Sequence, residues 1–313
     1  MQAVASHLAA LGEGLSHGIG VGGRDLSAEV GGLMTLLALE ALAADPSTEV
    51  VVLISKPAAT SAMPKIETAL RSLGKPVVVC CLGALAESDS AGTRVSTLED
   101  AAAAAAALAR GRAWAPCAFS DAPAVRALLT RVSASKTRGE GLLGLYTGGT
   151  LAHEAKLLLE PLLGPIAANL GGGSHTGLHR ILDLGADEFT VGRPHPMIDP
   201  DGRAARVREA GRSAQVGVLL LDLVLGRAVH ENPARALAAA IREARDVADR
   251  DGRSLVVIAS VLGTERDPQG LSAQIAALES AGAFLLPSNG QAARFAALVA
   301  RPALVTTLLG GTR

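Results

Sequence analysis

Residues 141–151 read GLLGLYTGGTL, and the order of their chemistry decides the fold. The run 142–146 is apolar and predicts a buried strand. Gly148 and Gly149 let the backbone turn. A helix then begins at Thr150 and runs over 151–163. Strand, glycine turn and helix in that order make a βα unit of a parallel sheet. The first N–H groups of such a helix lack internal partners, and the helix dipole adds positive potential there. Thr147, Gly148, Gly149 and Thr150 are therefore candidates for an anion or phosphate site. The same string also suits an ordinary βα turn.

Outward from this unit the alternation continues. Further strands are predicted at 17–21, 50–55, 76–83, 216–224, 254–262 and 283–287, and helices at 28–44, 63–73, 98–110, 233–250 and 268–281. Continuous apolar strands separated by helices imply an α/β fold whose parallel sheets are covered on both faces. Asp45-Pro46 stops one helix. Asp267-Pro268 opens another, with Asp as N-cap and Pro at N1. The stretch 111–140 breaks the rhythm with Trp114, Pro116 and a polar run at 133–140, which puts a domain boundary near Lys136. Residues 171–177 read as a glycine-rich surface loop. The alanine tract 101–107 is a helix former. The two halves echo each other: glycine-rich strand end, long helix, apolar strand, helix, apolar strand.

Composition fits two domains. The chain has 313 residues, 49% of them hydrophobic but only 2% aromatic, so the cores are aliphatic. A formal net charge of -1 provides no field for nucleic acid or an anionic membrane. No apolar run is long enough to span a bilayer, and the N-terminus has no basic leader. Cys80 and Cys81 lie within an apolar strand and Cys117 stands apart, a pattern that fits a reducing cytoplasm better than a disulfide framework.

Three more polar clusters stand out. Gly22-Gly23-Arg24-Asp25 follows the first predicted strand, where Arg24 can clamp a carboxylate or phosphate, or simply pair with Asp25. In residues 191–200, VGRPHPMIDP, two prolines stiffen a loop bearing Arg193 and His195, with Asp199 at the N-cap of a helix from Pro200. His195 can serve as acid, base or neutral donor, or merely pack between the prolines. Thr264, Glu265, Arg266 and Asp267 lie past the carboxyl end of the strand 254–262, the edge where open α/β sheets bind ligands. His175 and His179 are four apart in a glycine-rich loop rather than on a helix, and no metal-site, nucleophile-elbow or P-loop motif is present.

The strings GEGLSHGIGVGGRDLSAEVGG, LALEALAADPSTEVVVLISKP and GKPVVV resemble the CoA-ligase domain of succinyl-CoA synthetase α subunits. LYTGGTLAHEA, ILDLGADEFTVGRPHPMIDP and VLGTERDPQ are similar to the FdrA family of acyl-CoA-synthetase-like proteins, over nearly the whole chain. That resemblance implies two tandem flavodoxin-like domains, 1–136 of the α-subunit type and 137–313 of the β-subunit type. It also implies that the family's N-terminal nucleotide-fold domain and the first strand of the first domain are missing. The loop 83–95, where synthetases carry a phosphorylated histidine, has none here. The family implies a subunit of an oxamate carbamoyltransferase complex in purine-nitrogen catabolism. Its substrates would be small anions, with carbamoyl phosphate or CoA among them, and no fixed cofactor. Thr147, Gly148, Gly149 and Thr150 would hold phosphate. Arg193, His195 and Arg266 would orient a carboxylate or polarise a carbonyl, and Gly23, Arg24, Asp25, Asp199, Thr264 and Glu265 would contact substrate. A CoA-thioester-binding protein and a non-catalytic scaffold are the alternatives. Protein partners in a multi-subunit complex, or a homo-oligomer, are implied; nucleic acid and membrane are not.

Overall fold

A computed structural model describes residues 1–56, 58–83, 91–133, 138–170, 173 and 176–310. The chain divides into two compact units, Met1–Pro116 and Cys117–Arg313. The division falls ahead of Lys136, which itself lies outside the described residues. The reason is a helix within the stretch that breaks the sequence rhythm. Ala122–Ser133 packs on the last long helix of the second unit. It is tied there by Ser120, which donates to Gln291 Oε1 (3.2 Å), and by Arg126, which donates to the carbonyl of Leu309.

The first unit runs α1 (Gln2–Ala10), α2 (Leu33–Ala44), β1 (Val51–Ser55), α3 (Met63–Arg71), β2 (Val77–Cys81), β3 (Thr93–Val95) and α4 (Leu98–Ala109). Its three strands are parallel in the order β1-β2-β3. Val51, Val77, Val79 and Cys81 pack with Leu39 of α2 and with Ile66 and Leu70 of α3. Residues 17–21, expected as a strand, enter no ladder among the described residues. A strand exists only through its neighbour, and glycine at 18, 20 and 22 adds little stiffness of its own. The helix expected from residue 28 starts at Leu33, because Gly31 and Gly32 both take positive φ (68° and 82°), a conformation that interrupts a right-handed helix.

The second unit runs α5 (Ala122–Ser133), β4 (Gly141–Tyr146), α6 (Gly149–Leu163), β5 (Ile166–Ala168), β6 (His179–Asp183), α7 (Asp187–Thr190), α8 (Asp201–Arg212), β7 (Val216–Val224), α9 (Pro233–Arg250), β8 (Val256–Leu262), α10 (Leu271–Ser280), β9 (Phe284–Leu285) and α11 (Asn289–Ala300). A 3-10 turn and the short α12 (Val305–Leu309) follow. Six parallel strands lie in the order β5-β6-β4-β7-β8-β9. Without β5 this is the flavodoxin-like 2-1-3-4-5 order, whose ligand position is the carboxyl edge where β4 meets its neighbours. β4 and β7 are buried from end to end, and Leu219, Leu221, Val257 and Ile241 of α9 build the core of one face. α10 opens at Leu271 behind Gly270, not at Pro268; Asp267 instead accepts the N–H and hydroxyl of Thr264 and closes the turn.

Candidate functional site

β4 ends at Tyr146 and α6 begins at Gly149, and the intervening Thr147-Gly148 crosses the switch point of the sheet. There Asp222, on β7, reaches across. Its carboxylate accepts the Thr147 N–H (2.9 Å), the Thr147 hydroxyl (3.1 Å) and the Gly148 N–H (2.9 Å). Asp222 is fully buried and its charge is met by Arg203 of α8, which donates to its carboxylate (2.9 Å), to its carbonyl (2.6 Å) and to the Leu145 carbonyl (2.7 Å). The N–H groups at Thr147 and Gly148, expected to face a ligand phosphate, thus hold a carboxylate of the protein. The helix's own first bond is Ala152 N–H to Gly148 O, which leaves the amides of Gly149, Thr150 and Leu151 outside its ladder. Thr150 is exposed, so this end of α6 is open to solvent.

The floor of the site is polar and braced. Tyr146 is fully buried, with its hydroxyl 3.0 Å from Asn289 Oδ1. Burial, then the charges of Asp222 and Glu154, push that phenol well above its ordinary range, so it stays a neutral donor. Asp183, at the end of β6, lies beside the α6 terminus: a Cβ on Gly149 would fall 2.5 Å from its Oδ2. Asn169 fixes Asp183 from behind, accepting its N–H (2.8 Å) and donating to its carbonyl (2.9 Å) and to Glu188 (2.5 Å). Gly185 sits against both the Thr147 carbonyl and Nε2 of His195. His195 Nδ1 accepts the Met197 N–H (3.2 Å), which puts the proton of the neutral ring on Nε2, the nitrogen turned toward Gly185.

Thr147, Gly148, Gly149 and His195 therefore share one edge, along with Asp183, Asp222 and Arg203, which sequence reasoning missed. The signal for Asp222 was present: one carboxylate inside the nine-residue apolar strand VGVLLLDLV. Arg193 and Arg266 are exposed, and no contact among the described residues joins either to this cluster. Asp199 accepts the N–H of Asp201 (3.0 Å) and serves the start of α8. Glu265 accepts the Ser272 N–H (2.8 Å) and serves the start of α10. The loops after β6, β7 and β8 are laced together, with His230 N–H donating to Met197 O (2.7 Å) and Gln269 to Gly226 O (2.7 Å). Gly23, Arg24 and Asp25 belong to the first unit. There Asp25 is buried and accepts from Met34 N, Thr35 N and Thr35 Oγ1 (2.8, 2.9 and 2.6 Å), so it caps α2 rather than facing a substrate. It does not pair with Arg24. No metal-ligating cluster is found among the described residues, and His175 lies outside them.

Residues 145–299, the span from the end of β4 to α11, match the CoA-ligase family. The second unit carries a CoA-ligase domain. Over 289 residues the chain is 36% identical to an uncharacterized protein, YahF, of Escherichia coli (strain K12), covering 89% of this chain and 56% of that one. The chain thus spans little more than half the length of that relative. Among solved structures it aligns with the apo form of a dinucleotide-forming acetyl-coenzyme A synthetase 1 of Ca. Korarchaeum cryptofilum. The identity is 14%, the TM-score 0.33, and the coverage 89% of this chain and 58% of that chain. It also aligns with an ATP citrate lyase from Methanothrix soehngenii bound to citrate and coenzyme A (12%, TM-score 0.33, 87% and 37%). No helix among the described residues is long and apolar enough to cross a membrane.

Proposed function

We propose that the protein is an acyl-transfer subunit of the succinyl-CoA-ligase type, whose second unit receives a phosphate- or carboxylate-bearing acyl group at the open end of α6. The observation that carries this reading is the position of that helix end, at the switch point of a CoA-ligase domain, with the Nε2 of His195 against Gly185, which also abuts the Thr147 carbonyl. Amides at Thr150 and Leu151 would meet the anion, and the helix dipole would favour its charge. His195 would donate from Nε2 to the acyl oxygen and polarise it. Asp222 and Arg203 neutralise one another, so they set the turn without opposing an incoming anion, whereas the Asp183 carboxylate stands against Gly149 at the same helix end and leaves the anion to Thr150 and Leu151. Carbamoyl transfer within an oxamate carbamoyltransferase complex is the narrower form of this reading, supported by the FdrA resemblance. Phosphohistidine is no part of it, since the loop 83–95 contains no histidine.

The test is calorimetric titration with phosphate, carbamoyl phosphate and CoA against the intact chain and Thr150→Pro. Proline is tolerated in a first helical turn but has no N–H. Phosphate affinity should fall about tenfold or more, the loss of roughly one charge-assisted hydrogen bond. Unchanged affinity in a folded T150P protein would reject the site. Incubation with ATP or acetyl phosphate should leave all histidines unmodified by intact mass; acid-labile phosphate on His195 would give it a nucleophilic role instead.

A further inference from the structure

Two carboxylates of different standing meet the N-terminal end of α6. Asp222 is buried against Arg203, so its charge is met inside the fold. Asp183, half-buried at the end of β6, is the one on the side of Gly149. Its Oδ1 accepts the Gly185 N–H (3.0 Å). Its Oδ2 is turned to the first residue of the helix: a Cβ on Gly149 would lie 2.5 Å from Oδ2 and 3.4 Å from the carboxyl carbon. The bare glycine thus lets the carboxylate close on the helix end.

The carboxylate is held there from several directions. Asn169 clamps the Asp183 backbone, accepting its N–H (2.8 Å) and donating to its carbonyl (2.9 Å). The Leu184 N–H donates to the Tyr146 carbonyl (2.8 Å) and ties the end of β6 to the end of β4. The same Asn169 amide donates to Glu188 Oε1 (2.5 Å), which sets a second carboxylate behind the first. His195 supplies the opposite polarity. A Cβ on Gly185 would strike His195 Nε2 and fall 3.2 Å from Asp183 Oδ1, so a donor and an acceptor flank one glycine.

A carboxylate fixed where a helix attracts anions acts as a filter. The dipole and free amides draw negative charge to Thr150. Thr150 follows Gly149 directly, so an anion on its N–H has Asp183 for a neighbour. Two ionised groups side by side disfavour one another. A proton on the ligand reverses the sign, because an O–H donating to a carboxylate makes a short, charge-assisted bond. An ionised carboxylate only accepts, through both oxygens, so it can take a ligand donor in addition to the Gly185 N–H.

We infer that Asp183 sets the specificity of the α6 site. It admits an anion that carries a hydrogen-bond donor on or beside its charged group, such as a protonated phosphate or a 2-hydroxy carboxylate, and rejects anions without one, such as sulfate. The inference rests on the reading of the α6 end as an anion site. Phosphate and sulfate are alike in size and shape, so the proton is what Asp183 distinguishes.

Calorimetric titration of the full chain at pH 7 tests this with two matched pairs, phosphate against sulfate and glycolate against acetate. Phosphate keeps at least one P–O–H at this pH and sulfate has none; glycolate adds one hydroxyl to acetate. The wild type should bind the first member of each pair about tenfold or more tightly, the worth of roughly one charge-assisted hydrogen bond. Asp183→Asn keeps an acceptor for the Gly185 N–H and removes the charge. It should bind sulfate and acetate about tenfold more tightly than the wild type does, bringing the members of each pair close together. Equal affinity of the wild type for phosphate and sulfate overturns the inference and leaves the anion site standing. Binding of none of these anions overturns both. Discrimination that survives in a folded Asp183→Asn protein gives the role to another group and overturns the inference as well. The wild-type comparison can reject it without any variant.

Discussion

Asp25 lies buried at the N-terminus of α2, where three donors converge on its carboxylate. Burial alone would raise its pKa, but the Thr35 hydroxyl and the amides of Met34 and Thr35 more than offset that, and the carboxyl is held below its usual range. A depressed carboxyl stabilises the fold above the unfolded value of about 3.9, and that contribution is lost as pH falls through the lower folded value. Asp25→Ala should therefore cost about 1–2 kcal/mol at pH 7, as helix caps do, and much less near pH 2. Urea titrations at both pH values check this; equal losses would contradict it. Asp222 presents the reverse situation, a buried charge whose partner is also buried. Asp222→Ala leaves Arg203 without its carboxylate and should cost about 3–5 kcal/mol, and Asp222→Leu with Arg203→Met should recover only part of it, because the Thr147 and Gly148 N–H groups still lack their acceptor. Gly149 is glycine because Asp183 stands against it. Gly149→Ala should lower the melting temperature, and adding Asp183→Gly should restore it. A ligand-imposed glycine would show no such rescue.

At the scale of elements, α8 and α9 approach closely at one point. A Cβ on Gly211 would lie 2.5 Å from the Ala244 carbonyl oxygen and 2.6 Å from its Cα. Alanine improves helix propensity by up to about 1 kcal/mol, but a clash with backbone cannot be relieved by rotating a side chain and costs about 1–3 kcal/mol. Gly211→Ala should be destabilising, by thermal melts, despite the better helix former. Elements were legible in the sequence where a strand is largely apolar: β2 and β4 are buried throughout, and β1, β7 and β8 are apolar except at Ser55, Asp222 and Ser260. β6 was not, because it opens with His179 and Arg180, and β5 has only three residues. α11 begins with Asn289-Gly290, which reads as a turn until Ser288 is seen accepting the Gln291 N–H (3.1 Å). The candidate site was only half legible. A glycine turn before a helix can be read from sequence, but the carboxylate that fills part of it comes from a strand some seventy residues later, Asp222.

At the scale of the molecule, the boundary after Pro116 gives α5 to the CoA-ligase unit. Phe119, Val125 and Val132 are buried, and Arg294 donates to the Ala118 carbonyl (3.2 Å). A fragment of residues 117–313 should unfold cooperatively, at a higher temperature than a fragment of 137–313, which leaves the α5 side of α11 bare. Each buried aliphatic or aromatic side chain removed is worth about 1.5–3 kcal/mol. Equal melting of the two fragments would return the boundary to Lys136.

The scarcity of aromatic residues has a spectroscopic consequence. The chain has one tryptophan and one tyrosine, and they fall in different units: Trp114 in the first, Tyr146 buried beneath the α6 terminus in the second. Emission excited at 295 nm therefore originates only from the first unit, and the tyrosine band of near-ultraviolet dichroism only from the second. Without a label, one cuvette can follow the melting of each unit by its own colour.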